Sequence, residues 1–401
     1  MRKNVLIITR YFPPGGGIGA FRAAKFVKYL PNYGWDPYVI SLPQKRQNQL
    51  LPSDIDETQY SSIANIPKKR FYVDVLAPSL NKSLGDLRRI PPLLKCLPQI
   101  VRENDIDIIF HTAPPFYTLP AVSLLSDRLE IPYIFDLRDP WYISKSIFNS
   151  SKSVSNPPWS YFNRAMEYIS IRKSSKITTA TREMKDQYQK EYPEYSDKFV
   201  SIPNGYDPDD YDIDYSKSEK EADINLIYPG KFRDNMEGFL QAYHRLNNDV
   251  DIRLIHYGNE ENELTRKFYN RSRELDLSDT ITMRGYADFE EIVKEIYNSD
   301  VGLVVTRKDD PTHVPQKTFD YIACDTPILA LGPKGGELDQ ILKPFEFAFR
   351  TSHENIDEIE SILKFFVNNG PKTLGTQKMR QQYTRQSATE QLSGLLNNEI
   401  K

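Results

Sequence analysis

The sequence predicts an α/β protein built from two Rossmann-like domains. Short apolar runs rich in β-branched residues recur along the chain, and most are followed by a helical pattern. The alternation breaks once, over 207–223, and then restarts. At 401 residues the chain is also longer than one core ordinarily fills. The expected division is 1–206 for the first domain, 207–223 for a linker and 224–375 for the second domain, with a C-terminal helix over 376–401 packing back on the first.

The first domain opens with Val5-Leu6-Ile7-Ile8, a run suited to a parallel strand buried on both faces. It leads through Arg10-Tyr11-Phe12-Pro13-Pro14-Gly15-Gly16-Gly17-Ile18-Gly19 into a helix striped with Ala20, Ala23, Ala24, Val27 and Leu30. Strand, glycine loop and helix start together present backbone N–H groups to an anion. Gly15, Gly16 and Gly17 are therefore candidates for a phosphate contact, with an unliganded turn as the alternative. Their spacing departs from the dinucleotide fingerprint, which argues against NAD. Tyr38–Leu42 is the next strand, and Arg70–Val73 is a short one inside a polar, irregular stretch.

From Leu84 to Val101 apolar residues recur at near-helical spacing, close to the basic clusters Lys68-Lys69-Arg70 and Arg88-Arg89. This pattern fits a core-facing helix with a charged outer face, or an amphipathic surface resting on anionic lipid. Asp107–Phe110 is a strand ending at His111, at the edge where open α/β sheets place ligands. His111 is thus either a substrate-orienting imidazole or a hydrogen-bonded structural one. A helix over Leu119–Leu129 and a strand over Ile131–Phe135 lead into Asp136-Leu137-Arg138-Asp139. Two carboxylates flanking Arg138 form either a self-neutralising network or part of a polyol-binding cleft, with Asp139 the candidate residue. A helix over Tyr161–Ser174, a strand over Lys176–Ala180, a helix from Arg182 and a strand over Phe199–Ile202 complete the domain.

In the second domain Ile224–Tyr228 restarts the alternation and runs into Pro229-Gly230-Lys231-Phe232-Arg233-Asp234, a strand-to-helix loop carrying two cations. Strands follow at Asp251–Gly258, Ile281–Tyr286 and Val301–Val305. Pro315 suits a helix start, where its missing N–H costs nothing. On that helix Phe319, Ile322 and Ala323 share one face, leaving Lys317, Asp320 and Tyr321 to project toward the loops. Ile328–Leu331 is a buried strand, and Gly335-Gly336 before Glu337 is a second phosphate candidate at a helix start.

A net charge of -3 gives no global reason to expect nucleic acid as a partner. Cys96 and Cys324 form neither a disulfide framework nor a metal-ligand spacing, as expected in a reducing cytosol. The N-terminal apolar run is too short for a signal peptide, and no stretch is long enough for a membrane span. A cytoplasmic protein is expected, with peripheral contact at the inner face of the cell membrane as the further expectation from the basic region.

Several motifs, weak singly, recur in a specific order: Tyr11-Phe12-Pro13-Pro14 with its glycine loop, Thr112-Ala113-Pro114-Pro115, Phe135-Asp136-Leu137-Arg138-Asp139-Pro140-Trp141, Ile202-Pro203-Asn204-Gly205-Tyr206-Asp207 and Val314-Pro315-Gln316-Lys317-Thr318-Phe319-Asp320-Tyr321. Over most of its length the chain resembles bacterial glycosyltransferases of the GT-B fold, of the retaining group-1 type that builds polysaccharides and cell-surface glycans. The resemblance implies a deep cleft between the domains, with a nucleotide-sugar donor mainly on the C-terminal one and a glycan or lipid-linked acceptor mainly on the N-terminal one. It implies no metal and no cofactor, since basic side chains and helix N-termini stabilise the leaving diphosphate. Lys231, Arg233 and Lys317 match its cations, Gly230 and Pro315 lie in its donor loops, and Asp320 takes the place of a carboxylate that bonds the donor ribose. The preceding acidic position falls on Thr312, which carries no charge.

The implied activity is sugar transfer with retention, the departing diphosphate acting as base. Lys231, Arg233, His111 and Asp139 are the catalytic candidates. Gly15, Gly16, Gly17, Gly230, Pro315, Lys317, Asp320, Gly335 and Gly336 are the donor-binding ones. Two alternatives stand beside it: a nucleotide-sugar epimerase of the same fold, and a non-catalytic partner subunit that binds a nucleotide or glycan.

Overall fold

The computed structural model describes residues 2–13, 18–41, 70–72, 87, 90–143, 157–212, 222–233, 235–259, 261–370 and 372–400. The chain divides into two compact units, one of Met1–Asn204 with Arg385–Lys401, the other Gly205–Thr384.

The first unit holds a parallel seven-stranded sheet: β1 (Lys3–Thr9), β2 (Trp35–Ser41), β3 (Arg70–Tyr72), β4 (Ile108–Ala113), β5 (Tyr133–Leu137), β6 (Lys176–Thr179) and β7 (Phe199–Ser201), in the order β3-β2-β1-β4-β5-β6-β7. The continuous apolar run of β1 reflects burial on both sides. Leu6 and Ile8 join the core on one face, while Val5 and Ile7 join that on the other. The helices are α1 (Ile18–Tyr29), α2 (Ile90–Glu103), α3 (Leu119–Arg128), α4 (Pro157–Lys173) and α5 (Arg182–Glu191). On α2, Leu93, Leu97, Ile100 and Val101 are buried, so this part of the amphipathic pattern faces the core and not a lipid surface. The basic positions Lys68, Lys69, Arg88 and Arg89 lie outside the described residues.

The second unit carries a parallel six-stranded sheet in the order β10-β9-β8-β11-β12-β13. Its strands are β8 (Ile224–Pro229), β9 (Ile252–Tyr257), β10 (Ile281–Met283), β11 (Val301–Val305), β12 (Ile328–Leu331) and β13 (Ala348–Thr351). Around it lie α6 (Glu237–Asn247), α7 (Glu263–Glu274), α8 (Phe289–Asn298), α9 (Gln316–Ala323), α10 (Glu337–Leu342), α11 (Ile356–Asn369) and α12 (Gln377–Gln381). Tyr321 of α9 does not project toward the loops. It is fully buried and lies across the sheet, donating to the carbonyls of Ile227 and Leu303. Its ring lies 2.5 Å from where a Cβ on Gly302 would stand, so glycine is required at that point of β11.

The expected C-terminal helix is two. α12 belongs to the second unit, and α13 (Arg385–Glu399) to the first. Ala388, Leu392 and Leu396 of α13 join the core cluster that holds Ala23 and Val27 of α1. Both cysteines are free, and no helix of the described residues is long and apolar enough to cross a membrane.

Candidate functional site

In the second unit the strand order reverses between β8 and β11. Loops leaving the C-terminal ends of two such strands part to opposite faces of the sheet, and the gap between them is where open α/β sheets bind ligands. The loop after β8 carries Gly230, Lys231, Phe232 and Arg233, and the loop after β11 runs to Pro315, the N-cap of α9. Phe232 pins the first loop. It is fully buried, stacks on Phe268 with centroids 3.7 Å apart, and lies 4.2 Å from the His256 ring. The His256 imidazole donates from Nε2 to the Gly230 carbonyl at 2.8 Å, and Nδ1 accepts from the Tyr269 hydroxyl at 3.3 Å. Burial lowers the His256 pKa to about 4, which keeps the ring neutral in this role.

With Phe232 held inside, Lys231 is exposed and Arg233 is partly buried. Lys317, in the first turn of α9, places Nζ 3.4 Å from the Tyr228 ring centroid. Its Nζ lies 3.6 Å from where a Cβ on Gly230 would be, at a residue whose φ of +107° favours glycine. Burial first, and then the Arg233 charge, hold Lys317 well below the usual lysine range, while Asp320 pulls the other way. Arg233 and Lys317 thus sit on the two segments that flank a strand-order switch, with the Arg233 charge felt at Lys317. A dianion bound at that switch offsets both positive charges.

The remaining expected donor residues divide. Asp320 Oδ1 accepts from the Tyr211 hydroxyl at 2.6 Å and from Gln316 Nε2 at 3.4 Å, so that oxygen is already engaged. At Gly335-Gly336 two of the backbone amides at the start of α10 are already engaged. The Gly335 amide donates to Asp339 Oδ2 at 2.8 Å, and the amide of Glu337, just after Gly336, donates to the Pro311 carbonyl at 2.8 Å. The second of these bonds ties the start of α10 to the β11–α9 loop. Between the β12–α10 and β11–α9 loops is a cavity of about 140 Å³, lined in part by Asp310, His313, Thr306, Leu338 and Arg350. Thr312, the uncharged residue at an expected acidic position, donates to Asp310 Oδ1 from its amide at 3.1 Å and from Oγ1 at 2.8 Å. The carboxylate of this loop is therefore two residues earlier than expected. Asp310 and His313 carry no strong signal in sequence, where Asp309-Asp310-Pro311 reads as an ordinary polar turn.

In the first unit His111 is corrected from a substrate-orienting group to a core residue. It lies inside β4, 1% exposed, with Nδ1 3.0 Å from the Tyr133 hydroxyl and Nε2 3.2 Å from Thr118 Oγ1. Burial lowers its pKa to about 3, so it stays neutral. Of the two alternatives for Asp136-Leu137-Arg138-Asp139, Asp136 takes the structural one, but its partner is Arg22 and not Arg138. Arg138 turns to the carbonyls of Ala113, Pro114 and Gly19, which fixes the start of α1. Asp139 is exposed after β5. Gly15, Gly16 and Gly17 lie outside the described residues.

A sequence profile described as Glycosyltransferase Family 4 matches residues 19–210. No curated protein matches the chain. Among solved structures, the sucrose-phosphate synthase tll1590 from Thermosynechococcus elongatus is similar with a TM-score of 0.69 at 12% identity, covering 99% of each chain. Alr3699/HepE from Anabaena, solved with UDP-glucose, has a TM-score of 0.64 at 14% identity, covering 98% of this chain and 99% of that one. The UDP-GlcNAc 2-epimerase from Methanocaldococcus jannaschii has a TM-score of 0.56 at 12% identity, covering 99% and 100%. The fold shared with these proteins is GT-B.

Proposed function

We propose that the protein is a glycosyltransferase that moves a sugar from a nucleoside diphosphate donor to a glycan or lipid-linked acceptor, with retention. The observation that carries this is the placement of Arg233 and Lys317 after the two strands that flank the β8/β11 switch, with Lys317 Nζ against the Gly230 turn that leads to Arg233. The match to a glycosyltransferase family over 19–210 supports it, as does the similarity to a protein that holds UDP-glucose. In the proposed reaction the bond from the anomeric carbon to the diphosphate breaks and a bond to the acceptor oxygen forms. The acceptor proton passes to the diphosphate. Arg233 and Lys317 offset the negative charge that develops on the leaving group, and no metal or cofactor is assigned to that task.

Full-length protein assayed against a panel of nucleotide sugars, with and without glycan acceptors, tests the reading. Arg233→Ala and Lys317→Ala should each lower turnover by a factor on the order of a hundred. Lys231→Ala should do much less, because its side chain is exposed. Full turnover in both of the first two variants would overturn the assignment. Conversion of the donor without any acceptor would point to the epimerase alternative.

A further inference from the structure

Among the described residues of the first unit, the large apolar side chains that stand well out of the fold all lie on two neighbouring helices. Leu124 of α3 is 47% exposed, and Tyr161, Phe162 and Tyr168 of α4 are 72%, 37% and 37% exposed. The helices pack side by side. Lys173 bridges to Asp127 at 2.6 Å, and Phe162 lies against Tyr117, just before α3, with ring centroids 6.5 Å apart. α4 is divided lengthwise. Asn163, Glu167, Ser170 and Ile171 are buried, while Tyr161, Arg164, Tyr168 and Arg172 recur on the outer stripe at three- and four-residue steps and are all exposed. The one acid of α4, Glu167, is on the buried side, so the outer stripe combines aromatic rings with guanidinium groups and carries no carboxylate. Two carboxylates at its rim are engaged by cations, Asp127 by Lys173 and Glu191 of α5 by Arg164 at 3.4 Å. Arg128 is exposed on α3.

We propose that this α3–α4 face docks on a bilayer surface that contains anionic lipid, with α4 lying in the plane of the headgroups. Tyrosine presents an apolar ring and a polar hydroxyl, and arginine an apolar stem and a charged head, so both sit where acyl chains meet headgroups. The guanidinium groups face lipid phosphates, which match their charge and their paired donors. A second copy of the chain fits this face less well, because a two-fold contact would set the same arginines against one another. The helix first expected to meet lipid, α2, spends Leu93, Leu97, Ile100 and Val101 on the core. The docking face does not depend on the sugar-transfer reading, since none of its side chains is assigned to that reaction.

Vesicle flotation of the full chain, with no donor or acceptor added, tests this. Wild type should float with vesicles of equal parts phosphatidylcholine and phosphatidylglycerol, should stay behind with phosphatidylcholine alone, and should be released by salt, which screens exposed charges. Arg128→Gln and Arg172→Gln should each weaken the partition about fivefold, the equivalent of about 1 kcal/mol per basic residue near an anionic surface. Tyr161→Ser and Leu124→Ser should each weaken it about tenfold, through lost apolar burial. All four side chains are exposed, so the urea midpoint read by tryptophan fluorescence should not move, which separates lost docking from lost folding. Equal flotation with both vesicle types, flotation with neither, or flotation that survives all four substitutions in a folded variant overturns the proposal. Self-association in lipid-free solution that Tyr161→Ser abolishes would assign the face to a second copy and overturn it as well.

Discussion

Replacing Asp136 by Ala removes the acceptor of a buried ion pair. Arg22 Nε and an η nitrogen meet the two carboxylate oxygens at 2.9 and 2.8 Å, and the side chains are 2% and 0% exposed. Thr112 and Thr178 donate to the same carboxylate at 3.0 and 2.7 Å. In the variant Arg22 keeps only the carbonyls of Ile202 and Pro203 and the Asn204 side chain. Stranding a buried charge costs about 3–5 kcal/mol, a large share of the 5–15 kcal/mol that holds a domain together. The assay is direct, because all three tryptophans, Trp35, Trp141 and Trp159, belong to the first unit. Tryptophan fluorescence in urea then follows that unit alone, and the midpoint should fall steeply. Arg22→Met with Asp136→Leu should recover most of the loss, since a well-packed apolar pair replaces a buried ion pair at little cost. The Arg22 charge and the hydrogen bonds hold Asp136 below its ordinary value of 3.8 despite burial. A carboxylate whose pKa is lower when folded stabilises above the unfolded pKa, so the wild-type contribution persists from neutral pH to about pH 4 and is lost below. A loss under about 1 kcal/mol for Asp136→Ala, the level of an exposed pair, would refute the claim that this pair is desolvated.

Three further outcomes are expected. Burial pushes the Glu167 carboxyl from 4.5 up to about 7, although Tyr188, Tyr192 and the Tyr142 amide donate to it, and Glu191 and Arg164 lie nearby. The folded state therefore keeps a proton that the unfolded state has lost, and the first unit should lose about 3 kcal/mol as pH rises from 4.5 to 7, a slope that Glu167→Gln should flatten in urea titrations followed by tryptophan fluorescence. His256→Leu leaves the Gly230 carbonyl without its donor, so nucleoside diphosphate affinity measured by calorimetry should weaken about tenfold with the first unit's unfolding unchanged. Lys198 donates to the carbonyls of Ile171, Arg172 and Ser174 at the end of α4, and Lys198→Met should lower the first unit's stability by about 1–2 kcal/mol in the same fluorescence assay.

Apolar periodicity is a local signal, and it serves where burial is symmetric. Val5–Ile8 and Val301–Val305 are buried on both faces, so an unbroken apolar run announces each strand. β13 has no such run: Ala348-Phe349-Arg350-Thr351 is an edge strand, half-buried and carrying a charge, and only its pairing with β12 makes it one. Polar side chains follow a different rule, because they choose partners by tertiary geometry. Two residues after Asp136 in sequence stands Arg138, yet the partner is Arg22, brought in by α1, while Arg138 is held by three carbonyls. Arg233 and Lys317 were legible because each lies on the first loop or helix start after a strand, and strand order alone brings those segments together. Asp310 was not, because its environment depends on a bond from Thr312 and on the Glu337 amide that ties the opposite loop to Pro311. The placement of Arg233 and Lys317 therefore follows from topology, while the course of the β8 loop also depends on Phe232 and His256, which hold it from inside, so His256→Leu should disturb the cations without altering the strand order.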